Sequence, residues 1–212
     1  MERLFSREAT CPGRFFSNSI TITSETGVGS TTAMSLLQAK LGLPWRFVSA
    51  GDIMRQAAKR HSITIEHLAK LCREDPAQMP EDERCDRMIE DFGRQNYVVA
   101  EGRLVHVFVP SAFHVLLTCP LEVRAERRHT DSRDTGLDLE EVTRLIRVRD
   151  EDDRARYEKM YPGCLWPSES FNLVIDTREC APEQVVRAIE IGHTGWVHDN
   201  ADAIAHSVHL HR

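Results

Sequence analysis

The stretch Ser24-Glu25-Thr26-Gly27-Val28-Gly29-Ser30-Thr31-Thr32 sets glycines and hydroxyl residues in the order that a phosphate cradle needs. Glycine lets backbone N–H groups come close to an anion, and a helix that starts directly after the loop adds unpaired donors and the positive end of its dipole. Against the pattern G-x-x-x-x-G-K-[ST], Gly29 and Thr31 match, while Ser24 stands at the first glycine and Ser30 at the lysine. The chemistry of such a loop is the holding or transfer of phosphoryl groups. The competing reading is a Gly/Ser/Thr-rich turn that binds nothing. Only four of the 27 cationic residues are lysine, and the planar fork of arginine suits phosphate oxygens.

Positioning that loop requires a strand before it and a helix after it, and both are legible. Ser19-Ile20-Thr21-Ile22-Thr23 alternates as a strand does, and Ala33, Met34, Leu36, Leu37 and Leu41 then recur at helical spacing. Further strands are expected at 46–49, 97–100, 113–118 and 171–175, separated by helices at 53–58, 65–72, 81–94, 120–128 and 138–157. Asp138 and Glu141 have capping-box spacing, and Pro182 opens a last helix to about Ile191. Short apolar strands alternating with helices specify an α/β fold, a parallel sheet covered on both faces, with ligands beyond the carboxyl ends of its strands. Three polar clusters follow strand ends directly, at 24–32, 49–55 and 101–103, and should converge on one cleft.

The bulk properties narrow the partners. A net charge of −6 argues against nucleic acid and against an anionic membrane surface. No window is long and apolar enough to span a bilayer. Six cysteines without a C-x-x-C pair read as reduced thiols of a cytoplasmic protein. The chain divides into an irregular leader over 1–18, one domain over 19–191 and a polar, histidine-rich extension over 192–212. His206, His209 and His211 invite a metal reading, although no tetrahedral spacing or cysteine partner accompanies them. His61, His67, His106, His114 and His129 read as structural.

Taken with the loop, four further segments make the chain resemble the cytidylate kinase family, and its short archaeal-type members most closely. They are Ser49-Ala50-Gly51-Asp52-Ile53-Met54-Arg55, Val98-Val99-Ala100-Glu101-Gly102-Arg103, 120–128 with Arg124, Arg127 and Arg128, and Arg149-Asp150 with Asp153-Arg154-Ala155-Arg156. The resemblance implies a three-layer P-loop fold with a five-stranded parallel sheet, a helical region for the nucleoside monophosphate and a mobile lid. It also implies Mg2+-dependent transfer of the ATP γ-phosphoryl group to CMP or dCMP by a monomer or weak homodimer. By the same resemblance Ser24 to Thr32 hold ATP, the Thr31 hydroxyl meets the metal, and Arg103, Arg127 and Arg156 are catalytic. Gly51, Arg55, Arg103, Arg149, Asp153 and Arg156 contact the monophosphate, while Arg124, Arg127 and Arg128 belong to the lid.

Two positions depart from the family pattern. Leu104 stands where bacterial members carry a base-reading Asp, which loosens the tie to pyrimidines. Ser30 removes the lysine that reaches the β- and γ-phosphates. Either lid arginines supply that charge, or the protein is a nucleotide-binding regulatory relative with little turnover.

Overall fold

β-branched and other apolar residues build five short strands: β1 (Ile20–Ser24), β2 (Arg46–Ser49), β3 (Val98–Glu101), β4 (Phe113–Thr118) and β5 (Leu173–Asp176). The computed structural model describes residues 16–75, 79–130, 136–166, 168–202 and 204. All pairings between neighbouring strands are parallel, in the order β2-β3-β1-β4-β5. Chain connections leave β1 toward β2 on one side, and later cross from β3 to β4 on the other. The crevice of such a sheet therefore opens beside the carboxyl end of β1.

Helices α1 (Ser30–Leu41) and α8 (Pro182–Asp199) cover one face of the sheet. Ile20 and Ile22 point there and meet Leu37, Val186 and Ile189, all at most 1% exposed. The other face carries α4 (Glu81–Gly93) and the short α5 (Val105–Phe108), with Ile89, Val98, Ala100 and Val105 in one cluster. The pattern of β1 is accordingly apolar toward one layer and hydroxylic toward the other, and both sides are buried. Thr21 Oγ1 meets His114 Nδ1 at 2.8 Å, and Thr23 Oγ1 meets His106 Nδ1 at 3.4 Å. Burial holds both imidazoles well below their ordinary titration range, at about 4, as befits structural histidines.

Two helical pairs stand apart with small cores of their own. Helices α2 (Ala50–Arg60) and α3 (Ile65–Glu74) share Ala57, Ala58, Leu68 and Cys72. Helices α6 (Leu121–Thr130) and α7 (Leu139–Met160) share Ala125, Val142 and Ile146. Asp138 caps α7 by accepting from the Glu141 N–H at 2.8 Å, as its spacing predicts.

The boundaries differ from expectation in three places. Helix α8 continues to Asp199 instead of ending near Ile191, because Val185, Ile189, His193 and Trp196 keep to one helical face. His193 is buried, its ring 5.5 Å from that of Trp45 and 5.8 Å from that of Phe113. The start of the expected polar extension is thus part of the core, whereas His206, His209 and His211 lie outside the described residues. Of the expected leader, residues 1–15 also lie outside them, but Ser17 and Asn18 already bond to Ser111 and Tyr97. Helix α5, only four residues long, was not foreseen. Among the described residues no helix is long and apolar enough to cross a membrane.

Candidate active site

The carboxyl ends of β1, β2 and β3 bring together the three polar clusters that the sequence placed after strands. Loop 25–29 turns on Gly27 and Gly29, whose φ angles of 80° and 106° are left-handed and disfavour any residue with a Cβ. Gly29 then begins α1 without a side-chain cap, so the first N–H groups of that helix keep their capacity for an anion.

Side chains around the loop draw its carbonyls outward. Arg103 Nη1 donates to the Ser24 carbonyl at 3.0 Å, Arg124 Nη1 to that of Thr26 at 3.1 Å and the Thr177 hydroxyl to that of Val28 at 3.1 Å. Across a trans peptide the C=O and the following N–H point in opposite directions. The N–H groups of Glu25, Gly27 and Gly29 therefore point away from those three donors, an orientation that leaves them open to an anion.

Arg103 is the hinge point between this loop and α7. Its Nε donates to Asp153 Oδ2 at 2.9 Å, and its Nη2 donates to Thr26 Oγ1 at 2.6 Å. Arg124, 5% exposed, binds Asp150 at 2.6 Å and Glu25 at 3.1 Å. Arg156 reaches both Asp82 oxygens at 3.0 Å and Asp153 at 3.1 Å. Burial opposes its charge, but Tyr157, Asp82 and Asp153 outweigh that and hold the guanidinium firmly protonated. Arg55 is exposed on α2 and pairs with Asp52 at 2.6 Å, and Gly51 precedes them in the first turn. Arg149 lies on α7 with Arg103, Arg128, Asp153 and Glu66 as charged neighbours.

Of the residues expected to act, Arg103, Asp153 and Arg156 are joined in one network with the loop. Arg127 is not part of it. Its two terminal nitrogens reach the Val28 carbonyl at 3.4 Å, the Thr177 hydroxyl at 3.2 Å and the Thr177 carbonyl at 2.6 Å, so it binds the loop to the β5–α8 turn. Two cavities flank the loop. One of about 480 Å³ is lined by Glu25, Arg103, Asp150, Asp153, Tyr157 and Trp166. The other, of about 180 Å³, is lined by Val28, Gly29, Thr32, Arg127, Thr177 and Pro182.

The sequence reading passed over Glu101 as a site residue. Its carboxylate accepts from Ser30 Oγ at 2.9 Å and from Ser49 Oγ at 2.7 Å. A lone acid closing an apolar strand, next to Gly102, was the available signal. Gly102 itself permits a close approach: a Cβ there would stand 2.7 Å from Ala50 Cβ and 3.1 Å from Val105 Cγ1.

The donors present fit a phosphate-bearing ligand. Nε of Arg124 and Nε of Arg156 are buried without a hydrogen-bond partner among the described residues, and such N–H groups suit anionic oxygens. For a hard divalent cation the hydroxyl of Thr31 and the carboxylate of Glu101 are suitable oxygen donors. Among the described residues no group of three or more His, Cys, Asp or Glu could hold a metal ion by itself.

Comparison with known proteins agrees with this chemistry. The model of the cytidylate kinase-like family matches residues 19–179. A cytidylate kinase of Ignicoccus hospitalis is 35% identical over 173 residues, covering 81% of this chain and 96% of that protein. Another, from Methanothermobacter thermautotrophicus, is 32% identical, covering 74% and 94%. Among solved structures, a gluconokinase from Sinorhizobium meliloti superposes with a TM-score of 0.55 at 16% identity, covering 88% of this chain and 96% of that one. A shikimate kinase from Bacteroides thetaiotaomicron gives 0.53 at 16% identity, covering 85% and 96%. At such identity the two structures speak for the fold alone.

Proposed function

The chain belongs to the cytidylate kinase-like family, and from that premise we propose that it transfers the γ-phosphoryl group of ATP to CMP or dCMP. The observation that carries this reading is Arg103, which touches the anion-binding loop at Ser24 and Thr26 and the acceptor-side helix α7 at Asp153. Phosphoryl transfer asks little covalent work of a protein. It needs donor and acceptor held in line, their charge met by fixed cations and water kept away.

In this reading the N–H groups of the loop hold the ATP phosphates, and Thr31 meets Mg2+, which neutralises charge on the triphosphate. Arg55 and Arg103 take the acceptor phosphate, Asp153 and Arg149 its sugar, and Arg156 the phosphates at closure. The smaller cavity beside Thr32 and Pro182 would receive the donor nucleoside, with Arg127 fixing its floor. Each of Arg103, Arg124 and Arg156 is paired with carboxylates, so a phosphate enters by taking a carboxylate's place on the guanidinium. The helical pairs α2–α3 and α6–α7, each with its own core, are the units that would move to allow it.

Incubation with Mg-ATP and a panel of CMP, dCMP, UMP, AMP and GMP tests the reading, with CMP or dCMP expected as best acceptor. A clear preference for AMP, or phosphorylation of none, would overturn it. One observation favours the regulatory alternative: the Ser30 hydroxyl, at the lysine position, faces a carboxylate. Comparing kcat of the wild type with Ser30→Lys separates the two. An active wild type with little gain from lysine supports the kinase, because the new ammonium would sit beside Glu101. An inert wild type rescued by orders of magnitude supports the regulatory relative.

A further inference from the structure

We propose that Glu101 is a positioning residue that couples the donor-side loop to the acceptor-side helix, so that each ligand changes the protein's affinity for the other. The proposal rests on the kinase reading for the identity of the two ligands. Glu101 is the last residue of β3, and the register sets Ser49, the last residue of β2, directly beside it. Residues matched in register on adjacent strands leave the sheet on the same face, which is why the Ser49 hydroxyl reaches Glu101 Oε2 at 2.7 Å. The other carboxylate oxygen receives the Ser30 hydroxyl at 2.9 Å. Ser49 is also the N-cap of α2, its Oγ accepting from the Asp52 N–H at 3.2 Å. One unbroken chain of hydrogen bonds thus runs from the first residue of α1 through Glu101 to the first turn of α2, where Asp52 in turn pairs with Arg55 one turn on.

The proton inventory makes this chain responsive. A serine hydroxyl has one proton, and both Ser30 and Ser49 give theirs to Glu101. While that holds, Ser30 offers only lone pairs to the loop and cannot donate to a phosphate oxygen. For it to donate, its proton must leave Glu101 Oε1, and the carboxylate then keeps a single serine partner, Ser49 on Oε2. The hold on Ser49, and through it on the cap of α2, changes with the state of the loop. No other residue among those described bonds to both Ser30 and Ser49, so the route passes through Glu101 alone.

Isothermal calorimetry tests the coupling without turnover. CMP affinity is measured with and without an ATP analogue bearing a non-hydrolysable β,γ-bridge, in the wild type, Ser30→Ala, Ser49→Ala, the double variant, Glu101→Gln and Glu101→Ala. The expected result is a three- to tenfold change in CMP affinity on binding the analogue in the wild type. In Glu101→Ala that change disappears, and in Glu101→Gln, which keeps one acceptor oxygen and the shape of the side chain, it is reduced. Ser30→Ala should alter CMP affinity although it lies in the donor loop, and its effect should not add to that of Ser49→Ala. Additive serine variants, or coupling that persists in Glu101→Ala, would sink the proposal. Binding of both ligands with coupling but without turnover would support the positioning role while overturning the kinase reading. Failure of the wild type to bind either ligand overturns both.

Discussion

At the scale of single residues, the site is a set of arginines distributed over distinct tasks. Arg103 joins the loop at Ser24 and Thr26 to Asp153 of α7, so Arg103→Ala should lower kcat/KM for the acceptor by at least about a hundredfold, as a charge-assisted contact in a closed site is worth several kcal/mol. Steady-state kinetics read this out, and a loss of less than about tenfold would assign the guanidinium to structure instead. The residue types of this site were legible before any coordinates, because glycines, hydroxyls and arginines at strand ends have few other uses. Their division of labour was not. Arg124 and Arg127 sit three residues apart on α6, yet one meets Glu25 and Asp150 and the other the β5–α8 turn. Which of two neighbouring arginines reaches which carbonyl depends on how α6 is rotated against the loop, and sequence spacing carries no record of that rotation.

At the scale of elements, close approaches decide more than propensity does. The start of α2 lies against Gly102, where an added methyl would meet Ala50 Cβ at 2.7 Å. Gly102→Ala should therefore destabilise the fold by about 1–3 kcal/mol and raise the acceptor KM by pushing α2 away from β3. Adding Ala50→Gly should recover most of both losses, and chemical denaturation with kinetics of the pair checks it. A Gly102→Ala protein as stable as wild type would show that the contact is slack. The strands were readable because five apolar runs with turn residues between them admit one period, and β2 and β4 fall where expected, at 46–49 and 113–118. Helix α8 was cut short in the reading because histidines look polar. In the fold His193 is enclosed by Trp45, Phe113 and Trp196. Trp196→Ala should accordingly cost roughly 3 kcal/mol, seen as a Tm lower by about 6–12 °C; an unchanged Tm would return this stretch to the periphery.

At the scale of the whole molecule, titration and charge pairing set the conditions under which it works. Burial holds His106, His114 and His193 neutral down to about pH 4, whereas in the unfolded chain they take up protons near 6.5. The unfolded state then binds more protons, so their contribution is complete above pH 6.5 and is lost as pH falls toward 4. Asp86 works in the opposite sense. Burial raises its carboxyl to about 7, so its contribution is present at acid pH and lost as pH rises from its unfolded value through 7. With three such histidines against the carboxyls of Asp86 and Asp82, which burial also raises, stability falls on balance as pH drops from about 6.5 toward 4. Urea midpoints at pH 7.5 and 5.0 measure it, and a higher midpoint at pH 5.0 would contradict the assignment. The carboxylates that already occupy Arg103, Arg124 and Arg156 have a different consequence: the cleft is an ion exchanger supplied with its own counterions. A free inorganic anion entering there must first displace an aspartate from its guanidinium, and gains in return only the unpartnered Nε donors of Arg124 and Arg156. On the proposed reading a nucleotide would also bring a sugar and a base, and those additional contacts would tip the exchange, so that selection against the phosphate and sulfate of the surrounding solution would be part of the resting wiring of the site.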